Sequence, residues 1–354
     1  MARGSRQEAT LFSYSSPGLV PLAVYVEMQD MTSSHPRLLL ATDLSRWAEG
    51  AEVYACSLAS SWNATLTAMS VLEFPPGMNP DYPVNRLYLG ELMKRATREL
   101  AELKSRAANR GISMHTRIVN GIPSQEVLAA AAAEDTDLIV VGTRGKTGLE
   151  HVVLGSTAER IIRTAPCPVL AVRDERQHAG EAGGRPPDYP VSLQRMLVPV
   201  DFSDCSLDAL EYAVMVAQRA HASIRLLHVL EPVCYGLDFT LSNVAKREDM
   251  RERITERLGA LISALQSAQV TADCQVRGGL PADSILEAAA VEPADLIVMG
   301  THGRRGLSHT FWGSVAESVL RKSHCPVLTV RSPKFHPGHR HVLSRDGAQS
   351  ATLN

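Results

Sequence analysis

Internal repetition constrains this chain more than any other feature of its sequence. The segment LLLATDLS at 38–45 aligns with MLVPVDFS at 196–203. The segment beginning DLIVVGTRG at 137 aligns with DLIVMGTHG at 295. A constant offset of 158 residues relates Asp43 to Asp201, Gly121 to Gly279, Gly142 to Gly300, Gly155 to Gly313 and Pro168 to Pro326. No net insertion separates the copies, so the repeating unit is a whole domain and not a solenoid element. The length of 354 residues agrees, since it suits about two domains, each able to bury a core.

Each copy alternates strand and helix. In the first, 37–42 is a short apolar run without period-two polarity, as expected of a strand covered on both faces. Ser45 is placed to cap the helix that follows, whose apolar stripe is Leu44, Trp47, Ala48, Ala51, Tyr54, Ala55 and Leu58. Strands are expected at 65–72, 115–119, 137–141 and 168–172. A long second helix is lined by Leu92, Met93, Ala96, Leu100 and Leu103, and further helices fall at 124–133 and 156–164. The second copy repeats the plan, with strands near 196–200, 224–230, 273–277, 295–299 and 326–330. Such alternation defines an α/β fold, here two tandem doubly wound domains with parallel sheets, right-handed crossovers and helices on both faces.

The domains are expected at 35–173 and 195–331, joined by a linker at 174–194 that holds three glycines, three prolines and no apolar period. Residues 1–34 and 332–354 have no counterpart in either copy and are expected to be poorly ordered; the histidines at 336, 339 and 341 are read as part of a solvated tail. A net charge of -2 provides no field for nucleic acid or an anionic membrane. No apolar run reaches the roughly 18 residues of a membrane span. The semi-apolar run at 19–26 is broken by Pro21 and followed by Glu27 and Asp30, unlike a signal peptide. Six cysteines without a CxxC pair fit reduced thiols, so a soluble, cytoplasmic protein is expected.

The chemistry points to the loop after the fourth strand of each copy. Gly142-Thr-Arg144-Gly145 is followed nine residues later by Gly155-Ser156-Thr157, and Gly300-Thr-His302-Gly303 by Gly313-Ser314-Val315. Glycines there let the backbone turn with positive φ and approach a ligand, and their N–H groups can form an anion nest. Ser156 and Ser314 open helices, where unpaired N–H groups and the helix dipole favour phosphate. The Gly-Lys-Thr at 145–147 is not a Walker A loop, because the preceding glycine is two residues too close. The dinucleotide fingerprint GxGxxG is absent from both loops. Asp43 and Asp201 end the first strands, where a carboxylate can accept from ribose hydroxyls or the adenine amino group, or alternatively cap a helix. Were the first and fourth strands neighbours, Asp43 would face Gly142 across a topological switch point.

Both halves resemble the universal stress protein family, specifically its ATP-binding branch with the pattern G-x2-G-x9-G-[ST]. The resemblance implies a five-stranded parallel sheet of order 3-2-1-4-5 in each domain. It implies adenine contact by the backbone of Val71 or Val229, and contacts near the adenosine from Ala41, Thr42 and Asp43, or Pro199, Val200 and Asp201. It also implies that Gly142, Arg144, Gly145, Gly155, Ser156 and Thr157, or Gly300, His302, Gly303, Gly313, Ser314 and Val315, hold the phosphates, with Mg²⁺ or Mn²⁺ bridging them. Lys146 and Arg304 lie in the same loops. Members pair through the fifth strand, so the two domains are expected to pair within one chain, an arrangement that leaves room for two chains to associate further as a homodimer. The function implied is nucleotide-dependent regulation in the stress response through a protein partner. The alternatives are a slow ATPase or phosphotransfer protein, for which no dedicated general base is evident, and an interaction module with non-functional pockets. No catalytic residue and no protein-held metal is expected.

Overall fold

The computed structural model describes residues 35–73, 82–143, 154–173, 191–231, 241–303 and 313–331, with the side chains of 241–247 excepted. The first domain runs β1 (Arg37–Ala41), α1 (Glu49–Trp62), β2 (Thr65–Leu72), α2 (Pro83–Ala108), β3 (Met114–Asn120), α3 (Pro123–Ala133), β4 (Leu138–Gly142), α4 (Ser156–Thr164) and β5 (Val169–Val172). The second runs β6 (Arg195–Pro199), α5 (Asp204–Ala220), β7 (Ser223–Leu230), α6 (Leu241–Ser267), β8 (Ala272–Gly278), α7 (Pro281–Val291), β9 (Leu296–Gly300), α8 (Ser314–Lys322) and β10 (Val327–Val330). Both termini, the inter-domain segment up to residue 190, and the loop positions Arg144, Gly145, Lys146 and Arg304 lie outside the described residues.

All ten strands form one sheet of order β3-β2-β1-β4-β5-β10-β9-β6-β7-β8. Each half keeps the order 3-2-1-4-5 with parallel neighbours. The halves meet where β5 and β10 run antiparallel, pairing Leu170 with Leu328. The two five-stranded sheets are therefore continuous, and the chain has two outer edges, β3 and β8, where separate sheets would have four.

Side chains alternate across this sheet, and the two cores follow. Leu38, Leu40, Val140, Leu170 and Leu328 join a cluster under α1, α2, α5 and α6. Leu39, Ile139, Val141, Val169 and Val327 join the opposite cluster under α3, α4, α7 and α8. Burial on both faces explains why these strands read as unbroken apolar runs. Both clusters cross the domain junction. Polar contacts add to the joint: the Arg173 guanidinium donates to the Arg321 carbonyl at 2.9 Å, and the fully buried Tyr212 hydroxyl donates to the Asp137 carbonyl at 3.4 Å.

Three expectations need correction. Asp137 and Asp295 precede their strands instead of opening them: Asp137 accepts from the Arg37 N–H, and Asp295 from those of Gln194 and Arg195, all at 2.8 Å. Met93 is 41% exposed and not on the buried stripe of α2, which is Ala96, Leu100, Leu103 and Ala107. Ser45 caps nothing, because α1 starts after Ala48 and the Ser45 hydroxyl is buried without a partner among the described residues. Its counterpart Ser203 does cap α5, accepting from the Ser206 N–H.

The joint generates a direct expectation. Leu328→Asp places a carboxylate at a site that is 1% exposed and opposite Leu170, and should destabilise the chain by about 3–5 kcal/mol. Denaturant unfolding checks this, and an unchanged midpoint would mean that the β5–β10 seam contributes nothing to stability.

Candidate functional site

β1 lies between β2 and β4, and β6 between β7 and β9. From β1 the chain leaves to α1 on one face, and from β4 it leaves to α4 on the other. A crevice must open where the two connections part, at the carboxyl ends of the strands. The second domain shows its construction most fully. The Val200 N–H makes the last bond to β7, reaching the Leu227 carbonyl at 2.8 Å. Phe202 then adopts φ 63°, and the chain folds back so that Asp201 Oδ1 accepts from the Ser203 N–H at 3.0 Å and from its hydroxyl at 2.6 Å. One carboxylate oxygen thus holds the turn that starts α5. The other lies 2.8 Å from where a Cβ on Gly303 would stand, so the loop after β9 meets the aspartate of the β6 tip.

The base of that loop is closed by hydrogen bonds. The Thr301 N–H reaches the Val330 carbonyl at 3.0 Å and the Gly313 N–H reaches the Thr301 carbonyl at 3.1 Å. In the first domain Thr143 and Gly155 repeat both bonds at 2.9 Å. Gly155 and Gly313 are the N-cap residues of α4 and α8, so Ser156 and Thr157, or Ser314 and Val315, occupy the first helical turns. Glycine supplies no capping side chain, which leaves first-turn N–H groups for another acceptor. The expected positive φ is not found at these two glycines. Gly155 and Gly313 have φ of -60° and -66°, an ordinary extended-side conformation. Space is what glycine provides: a Cβ on Gly300 would lie 2.8 Å from Cys205 Sγ and 2.9 Å from its backbone, where α5 packs on the end of β9.

Strand alternation places the two valines. Met69 and Leu227 turn their carbonyls towards Thr42 and Val200, so Val71 and Val229, two residues on, present their N–H and C=O to the same side, beyond the end of β1 or β6. Pro199 matters here too. Its nitrogen, which carries no hydrogen, faces β9, and β6 pairs with β9 at Met196 and Leu197 alone, whereas β1 pairs with β4 from Leu38 to Ala41. The second crevice therefore opens earlier along the strands. His302 is half-buried at its rim, with Nδ1 2.8 Å from the Thr301 hydroxyl.

Sequence reading missed two groups of residues. In the second domain the buried His228 places Nδ1 2.7 Å from the Val200 carbonyl, packs its ring on Phe202, and Arg257 stacks over Phe202 at 3.9 Å. In the first domain Thr42 Oγ1 accepts from the Leu44 N–H at 3.0 Å and donates to Glu52 at 3.1 Å, and Arg106 approaches the other Glu52 oxygen at 3.5 Å. Asp43 Oδ1 accepts from the Ser45 N–H at 3.0 Å. Burial pushes the Glu52 carboxyl up from its ordinary range, offset in part by the Thr42 hydroxyl and the Arg106 charge. At the offset of 158, the counterparts of Thr42, Glu52 and Arg106 are Val200, Leu210 and Ala264. This swap from apolar to polar was the available signal.

Among the described residues no helix is long and apolar enough to cross a membrane, and no three His, Cys, Asp or Glu residues gather as metal ligands. The fold is that of a doubly wound α/β protein, with a topological switch point in each of two fused domains. The model of the universal stress protein family matches residues 35–173 and 192–331. The chain belongs to that family, as a tandem member. It is 34% identical over 144 residues to universal stress protein MJ0531 of Methanocaldococcus jannaschii, covering 40% of this chain and 85% of that one. A universal stress protein of Mycolicibacterium smegmatis is 26% identical over 299 residues, covering 83% and 96%. A crystal structure of a universal stress protein from Archaeoglobus fulgidus matches with a TM-score of 0.61 at 23% identity, covering 83% of this chain and 96% of that one, and shows the same fold.

Glu52 is held at 6% exposure where the sister domain has leucine. Because its carboxyl is raised in the folded chain, its contribution favours the fold below the unfolded carboxylate range and is lost as pH rises through the folded value. The pair Thr42→Val and Glu52→Leu, copying the second domain, should raise stability at neutral pH by about 1–3 kcal/mol. The gain should shrink in acid. Thermal unfolding across pH measures both, and destabilisation at neutral pH would contradict the reading.

Proposed function

We propose that this chain is an ATP-binding regulatory protein of the stress response, with one nucleotide pocket per domain. The observation that carries the reading is the approach of Gly303 to the Asp201 carboxylate beside the start of α8. A ligand entering there meets a fixed acceptor on one side and first-turn amides on the other, which suits the hydroxyls and the phosphates of one nucleotide.

The second pocket assigns Asp201 to the ribose, with Pro199 and Val200 shaping the wall and the Val229 backbone edge reading adenine. Gly300, Gly303, Gly313, Ser314 and Val315 leave room for and donate to the phosphates, and His302 flanks them. The first pocket uses Ala41, Thr42, Asp43, Val71, Gly142, Gly155, Ser156 and Thr157 in the same places, joined by Arg144 and Gly145. A divalent cation, Mg²⁺ or Mn²⁺, fits only through the phosphates, since the described residues offer no carboxylate cluster to hold one. It would supply charge neutralisation there. Occupancy then alters the loop surface that a protein partner meets, and a homodimer of the chain would present four such loops.

Calorimetric titration of ATP, with AMP and a cyclic nucleotide as comparators, tests the assignment. Wild type should take up two ATP molecules per chain, and Asp43→Ala and Asp201→Ala should each lose one, with at least about tenfold weaker binding at the altered site. Gly303→Asp should empty the second pocket alone, because its side chain would meet Asp201 in both space and charge. Absence of adenine nucleotide binding in wild type would overturn the proposal.

A further inference from the structure

The two pockets are built on the same plan, but the tips that present their aspartates are held differently. In the second domain the helix holds the tip. α5 starts at Asp204, directly after the Ser203 cap, and Cys205 fits against Gly300 with its thiol 3.3 Å from the Val330 carbonyl. In the first domain Trp47 stands where Cys205 does, and its indole is too large for that space. The first turn is lost accordingly. Residues 45–48 form a turn closed by the Ala48 N–H on the Ser45 carbonyl at 2.9 Å, α1 starts only at Glu49, and Arg46 stacks over Trp47 at 4.5 Å. Ser45, deprived of its capping role, keeps a buried hydroxyl without a partner among the described residues.

A side-chain relay takes over. The Leu44 N–H, in a residue at φ 58°, is held by Thr42 Oγ1, which is held by Glu52, which faces Arg106 on α2. Asp43 sits inside this relay, between Thr42 and Leu44. We infer that Glu52 is a positioning residue for Asp43, and that nucleotide binding in the first domain depends on the Thr42–Glu52–Arg106 relay while binding in the second does not. The inference rests on the nucleotide reading above and adds a form of control to it: the first tip is tied to Glu52, whereas the second is held by the Ser203 cap, the Cys205 packing and the His228 contact with the Val200 carbonyl. Among the described residues, the charges facing Glu52 include Arg106 from α2, Asp43 from the β1 tip and Glu49 from its own helix. Protonation of Glu52 removes the charge that Arg106 and the Thr42 hydroxyl prefer, so affinity in the first pocket falls as pH is lowered through the raised Glu52 range. The second pocket, with Val200, Leu210 and Ala264 in these places, has no such dependence on a residue at this position.

Glu52→Leu and Glu52→Gln are compared in two backgrounds, Asp201→Ala to isolate the first pocket and Asp43→Ala to isolate the second. ATP affinity is measured across pH, and hydrogen exchange is followed at residues 44 and 45 and at 202 and 203. The expected result is a loss of about fivefold to tenfold in first-pocket affinity with Glu52→Leu, the scale of one hydrogen bond. Glu52→Gln should retain more affinity and lose the pH dependence, and the second pocket should be unchanged. Exchange at 44 and 45 should quicken in Glu52→Leu, with 202 and 203 unaffected. Equal affinity in both backgrounds, equal loss in both, or unaltered exchange at 44 and 45 would each overturn the inference. Faster exchange in a protein that binds no nucleotide would uphold the positioning role and refute the nucleotide reading instead.

Discussion

The antiparallel junction of β5 with β10 governs the rest of the molecule. Each half taken alone would end in a four-residue strand with an unsatisfied ladder and apolar residues on both faces. Joined, the two strands complete each other, and both hydrophobic layers run across the seam. The orientation of everything else follows. With the seam fixed, β1 and β6 are each two strands away from it, and their tips lie outside the joint.

Much of this was legible because the repeat supplied its own control. Strand positions agreed within about a residue, since a doubly buried strand has few ways to be written. The order within each half and the pairing across the seam came from the family resemblance, not from periodicity, which carries no information about neighbours. Ser45 marks the limit of local rules. The same Ser motif caps a helix in one copy and fails in the other, where the helix starts only after Ala48. A capping preference worth about 1 kcal/mol is weak enough for tertiary context to override.

The glycines show a different limit. The expected positive φ is absent at the described loop glycines, and at two of them what the structure shows is a steric need. Gly300 gives way to Cys205, and Gly303 to the carboxylate of Asp201. Neither neighbour is near in sequence; the switch-point argument pointed to the aspartate, but nothing along the chain pointed to Cys205. Glu52 was hidden in the same way: one acidic residue within an apolar helix face reads as solvated until burial and its partners Thr42 and Arg106 are seen.

The seam also has an evolutionary consequence. In a pair assembled from identical subunits, any substitution appears in both pockets at once, so a change that suits one must be tolerated by the other. Encoding the pair in a single polypeptide removes that obligation. The Pro199 and Ala41 positions, like Leu210 and Glu52, record two lineages drifting apart under one roof. Fusion thereby allows one half to carry Val200 and Leu210 where its sibling carries Thr42 and Glu52.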